Sequence, residues 1–203
     1  MRANPNLEVK DGVLINPETG MPKWFHGSWI GKVSSFRRSS PRSHAYGATY
    51  FTSNDFLAED FASGERAWLD FDEDPPRLKR TGYVHAVRIH DVPLLDPDKI
   101  FTDKAELLLS PEGVRFVEEL SDRDASSSDI ESFLRTFSRS HYSAFSKGYT
   151  FWDILLESME ALGYRGWFER ESKDRTHTNI GLLYPNKDAQ IVGGYPVKRT
   201  RRF

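Results

Sequence analysis

Short runs of β-branched and aromatic residues, separated by turn-forming stretches, recur along this chain and predict strands. The clearest of them alternates apolar and mixed residues over residues 83–89, as a half-buried strand does. Strands are expected over residues 13–15, 24–26, 49–52, 83–89, 166–169, 180–184 and 190–192.

Apolar residues at helical spacing predict helices between these strands. After residues 49–52, Ser53 is the expected N-cap and Gly64 the expected end of a helix. Its apolar residues at helical spacing are Phe56, Leu57 and Phe61. Three more helices are expected between residues 110 and 163. The order of strands, helix, strand, helices and strands indicates an α+β fold rather than alternating β and α units.

Composition narrows the class of protein. The chain has 203 residues, 38% hydrophobic residues, a net charge of -2 and no cysteine, which predicts a single globular domain over residues 1–203 without disulfides. No apolar run follows Met1 as a signal peptide would, and none reaches a membrane-spanning length, so we expect no membrane contact. A cytoplasmic location is expected, or delivery into a target cell as an effector without a cleavable signal.

The histidines show no metal-ligand spacing, so no metal is expected, and the basic C-terminal tail is too short to indicate nucleic-acid binding. No Gly-x-Gly-x-x-Gly or P-loop motif occurs, which argues against a Rossmann or Walker nucleotide site.

Candidate chemistry is concentrated in residues 24–62. His26, Gly27 and Ser28 leave a strand together and present an imidazole, a bare backbone and a hydroxyl side by side. Tyr50 and Phe61 add two aromatic rings. This combination suits a flat, polar heterocycle joined to a ribose.

The same residues resemble a known family. His-Gly-Ser at 26–28, Tyr-Phe-Thr at 50–52 and an aromatic residue eleven positions after Tyr50 are similar to the layout of ADP-ribosyltransferases of the diphtheria-toxin and poly-ADP-ribose-polymerase branch. The lead-in at residues 17–26 is similar to that of bacterial and phage ADP-ribosyltransferase domains in mobile-element proteins. The resemblance implies two small, packed, mostly antiparallel sheets with NAD in the cleft between them, and a helical insertion over residues 97–150.

It also implies roles for individual residues. His26 would donate to or accept from a ribose hydroxyl of the adenosine half. The Gly27 backbone would approach the nicotinamide carboxamide, and Ser28 would hold that carboxamide or position the loop. Tyr50 and Phe61 would sandwich the nicotinamide ring. The residues implied to bind NAD are His26, Gly27, Ser28, Arg37, Arg38, Tyr50, Phe51, Thr52 and Phe61. For Arg37 and Arg38, which would bind the pyrophosphate, a solvated loop is the alternative.

The family's catalytic Glu is not matched. Asn179 stands at its position and can hydrogen-bond a ribose hydroxyl but supplies no carboxylate. Glu171 and then Glu169, at the end of the preceding strand, are the candidate replacements, unless they form a solvated rim.

The expected function is therefore NAD-dependent mono-ADP-ribosyl transfer to a macromolecular acceptor, a protein rather than a nucleic acid, by a monomer that acts as a bacterial or phage toxin or effector. Two alternatives stay open. The first is an NAD glycohydrolase, with water as the acceptor. The second is an inactive module that binds NAD or ADP-ribose.

Overall fold

The computed structural model describes residues 7–39, 47–64, 81–103, 105–139, 149–171 and 177–198. Within these ranges the chain forms a seven-stranded sheet, two small two-stranded sheets, and helices. The predicted α+β class is confirmed, and so is the mostly antiparallel pairing of the strands.

The strands are numbered in chain order. They are β1 (Val9–Lys10), β2 (Val13–Leu14), β3 (Trp24–Ser28), β4 (Thr49–Thr52), β5 (Thr81–Ile89), β6 (Leu94–Leu95), β7 (Phe101–Asp103), β8 (Leu108–Leu109), β9 (Gly166–Glu171), β10 (His177–Leu182) and β11 (Ala189–Lys198). The large sheet has the order β11-β5-β3-β4-β10-β9-β6, and its pairs are antiparallel apart from β6 with β9. The pairs β1-β2 and β7-β8 form the two small sheets.

The helices are numbered in the same way. They are α1 (Asp55–Ser63), α2 (Pro97–Ile100), α3 (Pro111–Asp122), α4 (Ser127–Arg139), α5 (Tyr149–Ala161) and α6 (Pro185–Asp188). Gly64 ends α1 in the left-handed conformation, with φ of 82°, as predicted. The prediction of Ser53 as N-cap is wrong by one residue, because the Asn54 side chain accepts the hydrogen bond from the Leu57 N–H at 3.0 Å.

The large sheet narrows between β3 and β4. The single registered pair between these strands is Phe25 with Thr52, whereas β3 pairs with β5 over five residues and β4 with β10 over four. Instead of the two separate packed sheets that were expected, the strands form one sheet whose two halves meet at that pair. Beyond it these two strands have no further registered pair, and the His26 side chain binds the Tyr50 carbonyl instead. This interruption of the pairing, beside Gly27 and Tyr50, is called the gap below.

The two faces of the sheet carry different cores, because successive residues of a strand point to opposite faces. Tyr50 and Trp167 belong to the face covered by helices, whereas Phe51 and Phe168 belong to the other face. The helix-covered face includes a buried cluster: Leu120 of α3, Phe133 of α4, Leu155 and Met159 of α5, and Phe116 of α3. Helix α1 packs on this same face through Ala58 and Ala62, which contact Phe25 and Val84.

The three helices predicted between residues 110 and 163 are observed as α3, α4 and α5. Ser110 caps α3 through a hydrogen bond from the Gly113 N–H at 2.9 Å, with Pro111 in the first turn. Among the described residues, no helix has both the length and the apolar character needed to cross a bilayer.

Candidate functional site

Two of the predicted site residues, Gly27 and Tyr50, lie on the helix-covered face of the sheet, next to the gap between β3 and β4. Tyr50 is the register partner of Gly181, and Gly181 is the partner of Trp167. Gly27 is two residues beyond the Phe25–Thr52 pair and therefore continues this row on β3. The row thus alternates two glycines with two aromatic residues across four strands.

Gly27 is a glycine because α1 lies directly against it. A Cβ placed on Gly27 would be 2.0 Å from the Ala58 carbonyl oxygen and 2.8 Å from the Phe61 Cβ. Helix packing alone therefore accounts for the missing side chain, whereas the resemblance assigned Gly27 to the nicotinamide carboxamide. The same contact places the start of the Phe61 side chain beside the Gly27 backbone.

The Tyr50 ring packs against the Trp167 ring. The two rings meet edge-to-face, with centroids 5.8 Å apart, and three ring atoms of Trp167 lie 2.7–3.2 Å from the point that a Gly181 Cβ would occupy. Trp167 is buried, whereas Tyr50 and Phe61 are half-buried. The two predicted stacking rings thus share one face with Gly27 and are partly accessible.

Other residues implied to bind NAD are core or framework residues. Phe51 is buried on the opposite face and packs edge-to-face on Phe36, with ring centroids 5.1 Å apart. Thr52 is buried and accepts a hydrogen bond from the Asn54 N–H at 3.2 Å. Ser28 is buried at the end of β3, opposite Tyr83.

His26 is bound to the backbone of Tyr50 but does not share a face with its ring. The imidazole Nδ1 lies 2.8 Å from the Tyr50 carbonyl oxygen. Since a carbonyl only accepts, Nδ1 carries the proton and Nε2 is left as an acceptor. The ring contacts Phe36 and Phe51, with centroids 5.0 and 5.6 Å away. The expected convergence of the imidazole with both aromatic rings on one surface is therefore not what the fold brings about.

Burial keeps His26 neutral. Loss of solvation lowers its pKa from 6.5 to about 4, the hydrogen bond to Tyr50 opposes this decrease, and the neighbouring His85 adds to it. At neutral pH His26 is therefore an uncharged hydrogen-bonding group.

Acid should accordingly destabilise the folded protein through His26. Because its pKa is lower in the folded than in the unfolded chain, the unfolded chain binds the proton first as the pH falls. The free energy of unfolding should be unaffected by this group above about pH 6.5, decrease by about 3 kcal/mol between about pH 6.5 and pH 4, and then level off. Urea unfolding across this range would measure the loss. His26→Gln should show a shallower slope, while His90→Gln, at an exposed histidine, should keep that of the wild type.

His85, the register partner of His26 on β5, has a structural role that was not predicted from the sequence. This histidine is fully buried, its Nε2 accepts the Val33 N–H at 2.9 Å, and burial lowers its pKa. It thereby anchors the loop after β3, which continues to Phe36 and covers His26. The signal in the sequence was the inward position of His85 in an alternating strand.

The loop between β3 and β4 that contains Arg37 and Arg38 is tied to the rest of the protein and does not present these two arginines as one open, positively charged cluster. The Arg38 guanidinium pairs with Glu160 of α5, and its Nε donates to the Gly47 carbonyl at 3.0 Å. The Arg37 side chain is exposed, and its backbone carbonyl accepts from Thr49 Oγ1 at 2.9 Å. Arg38 is therefore engaged in tying the loop to α5, which weakens its assignment to the pyrophosphate.

Asn179, which stands where the ADP-ribosyltransferases that the sequence resembles have a catalytic Glu, lies on the same face of the sheet as Tyr50. Asn179 is buried and is the register partner of both Thr52 and Glu169. Glu171 is the partner of His177, nearer the end of β10. The side chains of Glu169 and Glu171 lie outside the described part of the structure, as does Arg42.

A polar cluster that the sequence analysis did not identify lies at that end of β10. Glu18 accepts a hydrogen bond from the Ser53 hydroxyl, lies 3.3 Å from His177 Nδ1 through Oε1, and accepts from Asn54 Nδ2 at 3.3 Å through Oε2. Ser53 also accepts the Thr178 N–H at 2.9 Å, which leaves Ser53 unavailable as the helix cap. Glu18 and His177 are 159 positions apart in sequence, so no local motif joined them.

In comparisons with known proteins, no family model, no curated protein and no solved structure matches the chain. Within the described ranges, no group of three or more His, Asp or Glu side chains is placed to hold a metal ion. The fold and the site define an α+β protein with an aromatic pair and a histidine at a gap in its main sheet.

Proposed function

We propose that this protein is an NAD-dependent mono-ADP-ribosyltransferase, which cleaves the bond between nicotinamide and ribose and transfers ADP-ribose to a protein acceptor. The observation that carries the proposal is the placement of Gly27 and Tyr50 on one face of the sheet, beside the gap between β3 and β4, with the Phe61 Cβ of α1 next to Gly27. At the same gap His26 binds the Tyr50 carbonyl.

Nicotinamide is a flat ring that two aromatic side chains would hold. Contact with Tyr50 and Phe61 would contribute about 0.5–1.5 kcal/mol per ring beyond the burial of area. Trp167 limits how the Tyr50 ring turns, because it meets that ring edge-to-face. A ring held in one orientation loses less entropy when a ligand binds.

His26 lies on the other face of the sheet from the Tyr50 ring, so it would accept a hydrogen bond from a hydroxyl of the adenosine ribose and not from the ribose that carries nicotinamide. Its Nδ1 is engaged by Tyr50, so the free acceptor is Nε2, and the lowered pKa keeps that nitrogen unprotonated at neutral pH. Phe36 packs edge-on against the imidazole and would have to move for a ribose to reach Nε2.

Cleavage of the bond to nicotinamide develops positive charge on the ribose, as glycoside hydrolysis does, and a nearby carboxylate lowers that barrier. Asn179 offers no carboxylate. Of the two acids proposed from the sequence, Glu169 is the register partner of Asn179 along the backbone of β9, and we propose it as the first to test. Glu171 lies two residues further from the Tyr50 row.

The test is incubation of the protein with labelled NAD and a cell lysate. Wild type should transfer label to a discrete protein band, and His26→Ala and Tyr50→Leu should reduce the transfer at least tenfold. Phe61→Leu should reduce it severalfold because one ring of the pair is lost. Phe56→Leu is the matched control on the same helix, since Phe56 is 72% exposed and its change should have no effect.

Two other results would replace the proposal. Release of nicotinamide at the same rate with and without lysate, and no labelled band, would identify an NAD glycohydrolase. Thermal stabilisation by NAD or ADP-ribose without any release of nicotinamide would identify a binding module, which the Asn at position 179 favours. If NAD neither stabilises the protein nor is cleaved, all three functions are excluded.

A further inference from the structure

We propose that His177 is the base that deprotonates the acceptor in the transfer reaction, and that Glu18 is the residue that positions it. This inference rests on the proposed function and extends it to the second half of the reaction. It starts from a pair of side chains that neither the motif nor the sequence pattern singled out.

His177 lies on the face of the sheet that carries the proposed nicotinamide site. Along β10, residues 177, 179 and 181 alternate with residues of the other face, and the last two are the register partners of Thr52 and Tyr50. Two residues of strand span about 7 Å, so His177 is one step beyond Asn179 and two steps beyond the row of Tyr50. It is therefore placed at the end of the site, where an acceptor on another protein would approach.

The His177 imidazole is bound through Nδ1, and its side chain is partly exposed to solvent. Its Nδ1 lies 3.3 Å from Glu18 Oε1 and 3.3 Å from Asn54 Nδ2. With Nδ1 donating to the carboxylate, Asn54 Nδ2 donates to Glu18 Oε2 and Nε2 is left as the proton acceptor. The side chains of His177 and Glu18 are 33% and 27% exposed, so a bulky acceptor can reach the histidine.

Glu18 is itself positioned by neighbours. The Ser53 hydroxyl donates to it, and the buried Asn16 side chain accepts the Glu18 N–H at 2.9 Å. A carboxylate held in this way orients an imidazole and stabilises the imidazolium that forms when the ring accepts a proton. These are the two requirements for a residue that acts through a histidine base.

The reaction needs such a base only in its second half. Nicotinamide leaves with the electron pair of the ribose C–N bond, as a neutral molecule, and the ribose becomes electron-deficient. The acceptor nucleophile then bonds to the anomeric carbon and gives its proton to His177 Nε2, which later releases it to water. Asn179 cannot take that proton, because an amide is not a base at neutral pH.

This division predicts a split between two activities. His177→Ala should reduce transfer of label from NAD to protein in a lysate at least tenfold, while release of nicotinamide in buffer stays within about twofold of wild type, because water captures the electron-deficient ribose without a base. Glu18→Gln retains the size of the side chain but has one acceptor oxygen in place of two, so it cannot accept from both the Ser53 hydroxyl and Asn54 Nδ2. It should also lower transfer severalfold. His90→Ala, at an exposed histidine away from this cluster, is the matched control and should match wild type in both assays.

Each other outcome refutes the inference. Wild-type transfer by His177→Ala, with its nicotinamide release also intact, overturns the assignment of the base and leaves the proposed function standing. Loss of both activities in a variant with the wild-type melting temperature would place His177 in NAD cleavage instead. If the wild type releases no nicotinamide, the proposed transferase function is wrong, and so is the assignment of His177 as its base.

Discussion

Replacing Gly27 with alanine should destabilise the folded protein by at least about 3 kcal/mol, and Gly82→Ala should do the same. The new methyl groups would lie 2.0 Å from the Ala58 carbonyl oxygen and 1.8 Å from the Ala62 carbonyl oxygen. Both obstacles are backbone atoms on successive turns of α1, so no side-chain rotation relieves the overlap. Helix α1 would have to lift from β3 and β5, and the buried contacts of Ala58 and Ala62 would be lost.

Urea denaturation of the purified variants would measure this loss, and Gly193→Ala is the control. A Cβ at Gly193 meets no atom within 4 Å, so its free energy of unfolding should stay within about 0.5 kcal/mol of wild type. For a chain of this length, a loss of 3 kcal/mol corresponds to a decrease of about 6–12 °C in melting temperature. Equal stability of the Gly27 and Gly193 variants would contradict the close packing of α1.

The expected destabilisation by Gly27→Ala also bears on how function is inferred from a motif. In the sequence, a glycine after a strand histidine fits a backbone that approaches a nicotinamide. In the structure the same glycine is required by a helix that packs on the strand. The two explanations do not exclude each other, but only the packing explanation predicts that Gly82 and Gly27 respond alike.

The local signals in the sequence were sufficient for the elements that carry the site. Aromatic and β-branched residues placed β3 and β4 correctly, and Gly64 and Pro111 marked the helix end and helix start that the structure has. These features depend on φ preferences and side-chain shape within a few residues. They therefore need no knowledge of distant partners.

Features that depend on register were not accessible in the same way. Tyr50 and Phe51 are adjacent, so a shift of one residue in the pairing of β4 would exchange the ring on the helix-covered face with the ring on the opposite face. That register could not be derived from the sequence. We therefore expected His26 on the same face of the sheet as the Tyr50 ring, whereas it lies on the face of Phe51. The pair of Glu18 with His177 was missed for a related reason, since it forms only after β10 has aligned with β4.

Asn16→Ala should be the other strongly destabilising change, by about 3 kcal/mol. This side chain is fully buried. Its Nδ2 donates to the carbonyl oxygens of Lys23 and Ser53 at 2.8 and 2.7 Å, and its Oδ1 accepts the N–H groups of Glu18 and Thr19 at 2.9 and 3.4 Å. Each lost hydrogen bond costs about 1 kcal/mol, and more where a buried group is left without a partner.

Thr19→Ala is the matched control in the same turn, because the Thr19 hydroxyl is exposed and accepts a single bond from the Met21 N–H at 3.3 Å. Its stability should remain within about 0.5 kcal/mol of wild type in urea denaturation. Asn16→Asp should be at least as destabilising as Asn16→Ala, since it loses both donors to the carbonyl oxygens of Lys23 and Ser53 and buries a charge. Because Asn16 also orients the backbone of Glu18, its variants should lose more transfer to protein than nicotinamide release under conditions where they remain folded. A stable Asn16→Ala protein with both activities unchanged would mean that the turn before β3 does not position Glu18.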